Sequence, residues 1–140
     1  MSASSTGRGN SSGVADPAFL LDSNILIYIL DDAESEPVRR IGRLEPGSVV
    51  TSSIAVGEAA VGFARRGVWP SGFDRLLRVI QPLPFDEAAA RSYGQLPFKR
   101  HSFDRLIAAH ALSLHLKLVT NNERDFADVP GLMVENWMRA

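Results

Sequence analysis

Short apolar runs alternate along this chain with longer stretches in which apolar residues return every three or four positions. The first run, 18–21, reads as a buried strand that stops at Asp22. Residues 23–30 follow as a helix ended by Asp31-Asp32, and 35–44 as a second helix opened by Glu36 and Pro37. Residues 49–51 form a strand. Ser52 or Ser53 then caps a helix reaching Arg66, with Gly67 just past its end. Residues 73–79 are helical, 81–85 are extended, and Asp86 caps a helix through Tyr93; 97–102 is a loop. Phe103, Leu106, Ile107, His110, Ala111 and Leu114 make the clearest helical stripe in the chain. Residues 116–120 are a strand, 121–128 a polar turn, and 132–134 a last short strand. Strands alternating with helices predict an α/β fold whose parallel sheet is covered on both faces.

Residues 1–16 lack this pattern. They are rich in Ser and Gly and carry too few apolar groups to offset the entropy of ordering, so they read as a flexible tail before one domain, 17–140. A Gly-rich stretch from Gly7 to Gly13 has no strand before it and no Gly-Lys-Ser/Thr ending, so it is not a phosphate loop. The 140 residues suffice for one domain, and 45% hydrophobic with 22% charged residues is an ordinary globular balance. With 15 basic and 16 acidic residues the formal charge is −1, so contact with phosphate must come from a local patch or a metal. There is no cysteine, which removes disulfides, thiolate metal sites and a thiol nucleophile and is compatible with a reducing cytoplasm. The most apolar stretch, 19–30, is interrupted by Asp22, Ser23 and Asn24 and falls well short of the roughly 20 residues a membrane helix needs. The first residues contain no apolar secretory core.

The acidic residues carry the chemistry. Ligands of open parallel sheets sit beyond the carboxyl ends of the strands. Asp22 directly follows the first strand; Asp125 lies in the turn five residues after Thr120; Asp104 lies in the first turn of the striped helix; Glu58 lies inside the helix after the second strand. Each has a plain structural reading: Asp22 as a helix cap, Asp104 as a partner of a helix dipole behind a Ser102 cap, Asp125 as a solvated turn residue. Glu58 is flanked one turn away by Ile54, Ala55 and Val61, an apolar setting in which an unpaired charge is costly. Two like charges about 4 Å apart repel by roughly 4 kcal/mol at an effective dielectric of 20, so converging carboxylates call for a cation. A hard divalent ion, Mg²⁺ or Mn²⁺, suits oxygen ligands and can activate water against a phosphodiester.

Four segments also resemble a known family. They are Phe19-Leu20-Leu21-Asp22-Ser23-Asn24-Ile25-Leu26-Ile27-Tyr28, Ser52-Ser53-Ile54-Ala55-Val56-Gly57-Glu58, Ser102-Phe103-Asp104-Arg105-Leu106-Ile107-Ala108-Ala109-His110-Ala111, and Leu118-Val119-Thr120-Asn121-Asn122-Glu123-Arg124-Asp125-Phe126. The last continues through Pro130-Gly131-Leu132 to Trp137. In this order they resemble PIN-domain ribonucleases, specifically VapC-type toxins of toxin–antitoxin pairs, from Phe19 to Trp137. The resemblance implies a three-layer α/β/α sandwich on a mainly parallel sheet of four to five strands. It implies a Mg²⁺-dependent endoribonuclease that hydrolyses RNA with metal-activated water, an inhibitory antitoxin, and a homodimer in the cytoplasm. It carries over Asp22 and Asp104 as the principal catalytic Mg²⁺ ligands and Glu58 as an acidic partner in the same metal site, with Asp125 as the fourth catalytic and metal-binding acid. Some members have an acid two residues after the Thr. Asn122 stands there in this chain, with Asp125, or Glu123, as the acid in its place. Asn24, Thr120 and Asn122 match supporting polar positions. The basic run Phe98-Lys99-Arg100-His101 abuts Asp104, and Lys99 and Arg100 are candidates for phosphate contact.

Other signals point elsewhere. His110 fits the apolar stripe as a satisfied core histidine, and His110 and His115, five apart, do not share a helix face for a metal. Arg65 and Arg66 suit a helix end, Arg39, Arg40 and Arg43 a solvated face, and Trp69, Phe73, Leu76 and Leu77 a core or dimer surface. Two rival readings stay open at this level: an inactive PIN-like RNA- or protein-binding module, and a metal-dependent phosphohydrolase acting on another phosphate ester.

Overall fold

β1 (Phe19–Leu21) lies at the centre of a five-stranded sheet in a computed structural model that describes residues 14–100 and 102–138. The tail expected over 1–16 thus falls mostly outside the described residues, as does His101. The strand order is β3-β2-β1-β4-β5, with β2 at Val49–Ser52, β3 at Gln81–Leu83, β4 at Lys117–Val119 and β5 at Val134–Glu135. Every pairing is parallel. Successive strand residues face opposite sides of a sheet. Leu20 and Leu21, Val49 and Val50, and Leu118 and Val119 are all buried, so both faces are covered and the sandwich has three layers. Pro82, which has no N–H to donate, sits in the edge strand β3, where that loss is tolerated.

The helices are α1 (Ser23–Asp31), α2 (Glu36–Gly42), α3 (Ser53–Arg66), α4 (Phe73–Val79), α5 (Glu87–Gly94) and α6 (Phe103–Leu114). Their ends follow the capping chemistry of the sequence. Ser52 Oγ accepts from the N–H of Ile54, Asp86 from Ala89 and Ser102 from Arg105. Gly67 ends α3 at φ +67°, a backbone state glycine adopts without strain. Gly47, at φ +91°, has a further constraint: a Cβ there would collide with Val14 and the backbone of Ala15, the strap leading into β1.

Three local expectations are corrected. The last strand is Val134–Glu135 rather than 132–134, because its backbone pairs with β4 through Leu118 and Val119; Leu132 instead closes a turn onto Val129. The buried face of α6 is Arg105, Ile107, Ala108, Ala109, His110 and Ala111, whereas Phe103 and Leu114 at its two ends are exposed. His115 is not on that helix at all. It caps α6 at φ +58°, with its N–H bonded back to Leu112. Two cores result: a main one around the sheet, and a small one of Ala59, Phe63 and Phe73 under α1, α3 and α4. Trp69 caps the small core edge-on to both phenylalanines but remains 54% exposed.

Candidate active site

The strand order places a reversal at the centre of the sheet. From β1 the chain builds outward through β2 and β3, then returns to the other side of β1 with β4 and β5. The crevice of such a sheet opens at the carboxyl ends of the two strands flanking the reversal. Leu21 of β1 is in register with Val119 of β4, so Asp22 and Thr120 leave the sheet side by side. Thr120 donates its hydroxyl to Oδ2 of Asp22 at 2.8 Å, and the Ser23 N–H donates to Oδ1 at 2.8 Å. Asp22 therefore holds the cap position of α1 and also faces the crevice. The cap role expected of it is met, and the same side chain faces the crevice.

Glu58 arrives from α3 and Asp104 from the first turn of α6. One carboxylate oxygen from each of Asp22, Glu58 and Asp104 lies within 4.8 Å of the others. Asp22 is buried, and Glu58 and Asp104 are half-buried. Burial, and after it the convergence of the carboxylates, favours the protonated forms of Asp22 and Asp104. Burial raises the Asp22 pKa to about 6 against the hydrogen bonds from Thr120 and Ser23, and the charges of Asp104 and Glu58 push the same way. Asp104 is also raised, by burial first and then by Glu58 and Asp125, with Lys99 and Arg105 opposing.

The remaining expectations divide. Asp125 lies on a single 3₁₀ turn, Glu123–Phe126, and is exposed. Its charge reaches Asp104, but it is not one of the three carboxylates within 4.8 Å of one another. Glu123 is turned to the other side of the turn, accepting from Asn136 at 3.1 Å. Asn122 is exposed and donates its backbone N–H to Thr120 Oγ1, so it supports the Thr rather than the cluster directly. Asn24 is half-buried in the first turn of α1. Lys99 is close enough for its charge to act on both Asp104 and Asp128; Arg100 is exposed beside it. His110 is a core histidine: Nδ1 lies 2.8 Å from Ser52 Oγ, the Pro84 carbonyl meets the ring, and burial lowers its pKa.

One contributor is not legible in the sequence. Ser23 donates its hydroxyl to Glu58 Oε1 at 2.8 Å, which ties the first turn of α1 to α3 and fixes a carboxylate of the cluster. No local pattern marks it, since its partner is 35 residues away.

Residues 19–132 match the model of the PIN domain. The chain belongs to the PIN-domain family. This PIN domain is 35% identical over 133 residues to the tRNA(fMet)-specific endonuclease VapC of Shigella flexneri, spanning 85% of this chain and 97% of that protein. It is 31% identical over 134 residues to Ribonuclease VapC2 of Haemophilus influenzae, spanning 86% and 98%. Among solved structures, DNA-bound VapBC from Salmonella typhimurium superposes with a TM-score of 0.71 at 28% identity, over 86% of this chain and 98% of that one. With these relatives, the PIN domain described here is a VapC-type nuclease.

Proposed function

We propose that this protein is a divalent-metal-dependent endoribonuclease, the toxin of a toxin–antitoxin pair, with Asp22, Glu58 and Asp104 as its metal ligands. The observation that carries this reading is the convergence of three carboxylates, from the residue after β1, from α3 and from α6, at the reversal of a parallel sheet. The donor set fits the ion. All three ligands are hard oxygens, and two have pKa values raised by burial first and by the neighbouring carboxylates after it. Mg²⁺ is the ion of choice, with Mn²⁺ an alternative of the same ligand preference. Bound there, it would polarise a phosphodiester and lower the pKa of an attacking water.

The chain's own residues prepare that chemistry. Thr120 and the Ser23 N–H hold Asp22 in one orientation and favour its ionised form. The Ser23 hydroxyl fixes Glu58. Asp125 adds negative charge within electrostatic reach of Asp104. Lys99 and Arg100 at the rim supply positive charge for the strand's phosphates. The tRNA(fMet) specificity in the name of the Shigella relative makes tRNA the first substrate to test. The VapBC complexes among the neighbours support an antitoxin partner, and a cytoplasmic homodimer completes the proposal. No helix among the described residues is long and apolar enough to cross a membrane. The domain extends from residue 17 to the end of the chain in this reading.

The test is cleavage of end-labelled tRNA and total RNA by the purified protein in Mg²⁺, with Asp104→Asn and a chelator in parallel. Discrete cuts that need both Mg²⁺ and Asp104 are expected. RNA binding with no cleavage in any divalent ion would leave an inactive binding module instead.

A further inference from the structure

The loop entering α6 carries a residue that neither the fold nor the metal cluster uses. Phe98 is 79% exposed, more than any other large apolar side chain among the described residues. Phe103, the first residue of α6 and the neighbour of Asp104, is 51% exposed. Neither ring packs on another ring among the described residues, whereas Phe19, Phe63, Phe73 and Phe85 all do. Lys99 and Arg100 stand between the two, and the Lys99 charge acts on Asp104 itself. The exposed ring thus immediately precedes a lysine whose charge reaches the acidic site.

We propose that Phe98 is a base-stacking residue for single-stranded RNA entering the site, with Lys99 beside it holding the adjoining phosphate. The inference rests on the endoribonuclease reading and adds to it a determinant of substrate form. Aromatic faces next to cations are how proteins hold unpaired bases, because every base offers a π-face while the backbone offers charge. A paired base is already stacked on both sides and cannot use the ring, so Phe98 favours loops and unpaired ends over duplex. A protein-docking role fits less well: the ring stands next to two cations, not within a continuous apolar face.

The experiment compares wild type, Phe98→Ala and Phe98→Trp. Binding of a fluorescein-labelled single-stranded oligoribonucleotide is read by anisotropy in chelator, and cleavage of the same strand is read in Mg²⁺. Phe98→Ala is expected to weaken binding and raise KM about tenfold, with kcat held within about twofold. Phe98→Trp should match or exceed wild type, and duplex RNA should be indifferent to either change. An exposed side chain leaves the fold intact, which an unchanged melting temperature verifies. Equal strand binding and equal KM for wild type and Phe98→Ala overturn the proposal, as does a loss of antitoxin binding with RNA binding unaffected. Phe98-dependent binding without cleavage by wild type keeps the stacking role and removes the nuclease reading. A wild type that neither binds nor cleaves removes both.

Discussion

The Thr120 hydroxyl donates to Oδ2 of Asp22 across 98 positions of sequence, at the exit of two adjacent parallel strands. This bond and the Ser23 N–H both favour the ionised carboxylate, yet Asp22 still titrates near 6, because burial and the neighbouring Asp104 and Glu58 outweigh them. The site is thus oriented for a cation, while burial and the neighbouring carboxylates hold the Asp22 proton more tightly than in a free carboxyl. Binding of a divalent ion and ionisation of Asp22 are the same event seen from two sides.

The first prediction follows from that linkage. Asp22 has a folded pKa of about 6 against 3.8 for the free group, so the folded protein binds the proton more tightly than the unfolded chain does. Stability is then greatest at low occupancy of the charge and falls as pH rises between about 4 and about 6, by roughly 3 kcal/mol from this group alone. Denaturant unfolding in chelator across that window should show the fall, and Asp22→Asn should flatten it. At pH 7 without metal, Asp22→Asn is expected to be at least as stable as wild type while losing cleavage. Mg²⁺ at about 100 times its Kd would restore roughly 2.7 kcal/mol to wild type, and little to the variant.

Thr120→Val removes the donor to Oδ2 and the acceptor for the Asn122 N–H, leaving shape nearly unchanged. The Asp22 pKa should then rise further. One neutral-to-charged hydrogen bond corresponds to about one pH unit, so the acid limb of the pH–rate profile should move up by about that much. The loss of rate should be largest near pH 6 and shrink toward pH 8, with Thr120→Ser close to wild type. A uniform loss at all pH values would place Thr120 in packing rather than in tuning Asp22.

Much of this site is visible in the chain before folding. Asp22 ends the first apolar run and Asp104 opens the clearest helical stripe, so each stands at an element boundary that local pattern reveals. Glu58 stands out as an acid one turn from Ile54, Ala55 and Val61. What pattern cannot give is distance across the sheet. Asp125 stands in by motif for the acid that Asn122 replaces, but it lies on the exposed 3₁₀ turn Glu123–Phe126, where its charge reaches Asp104 without joining the three converging carboxylates. The Ser23–Glu58 bond depends on how α1 packs on α3, which no window of sequence contains. The final strand shifted for a similar reason: its register answers to β4, while its own composition favours Leu132 and Met133.

Ser23→Ala tests the support of Glu58. The Oγ–Oε1 bond is part-buried and charge-assisted, and its loss frees the Glu58 side chain to swing from the cluster. Outer partners of metal ligands typically matter by 10–100-fold in metal affinity or activity. We expect the Mg²⁺ concentration for half-maximal cleavage to rise about tenfold, with the maximal rate largely recovered at saturating metal. Titration of Mg²⁺ against cleavage rate separates this from a purely structural serine, for which the metal requirement would not move.

Arg105, next to Asp104, makes a different kind of contact. Its side chain is 3% exposed, and one terminal nitrogen, Nη2, meets Asp128 Oδ2 at 2.6 Å. Nε and Nη1 are buried with no hydrogen-bond partner among the described residues. Asp128 itself is largely exposed, and this contact holds its pKa below the usual carboxylate range. A buried guanidinium with three of its five N–H donors idle is poor stabilisation, and replacing such a group by an apolar one of similar volume is often neutral or favourable. Arg105→Met should therefore leave Tm within about 2 °C of wild type or raise it. Asp128→Ala leaves the buried cation without its hydrogen-bonded anion and should lower Tm by more. That contribution of Asp128 requires its ionised form, so it is present above pH 3.8 and fades as pH falls through the depressed folded pKa. Asp128 stands two residues past the 3₁₀ turn that carries Asp125, so the ion pair also ties α6, which carries Asp104, to the segment leaving that turn. If that link sets their spacing, Arg105→Met should raise the metal requirement of cleavage without lowering Tm. Thermal melts and Mg²⁺ titrations on the same preparations decide this. A fall in Tm for Arg105→Met as large as for Asp128→Ala would show that the pair holds the fold together and has no separate effect on the site.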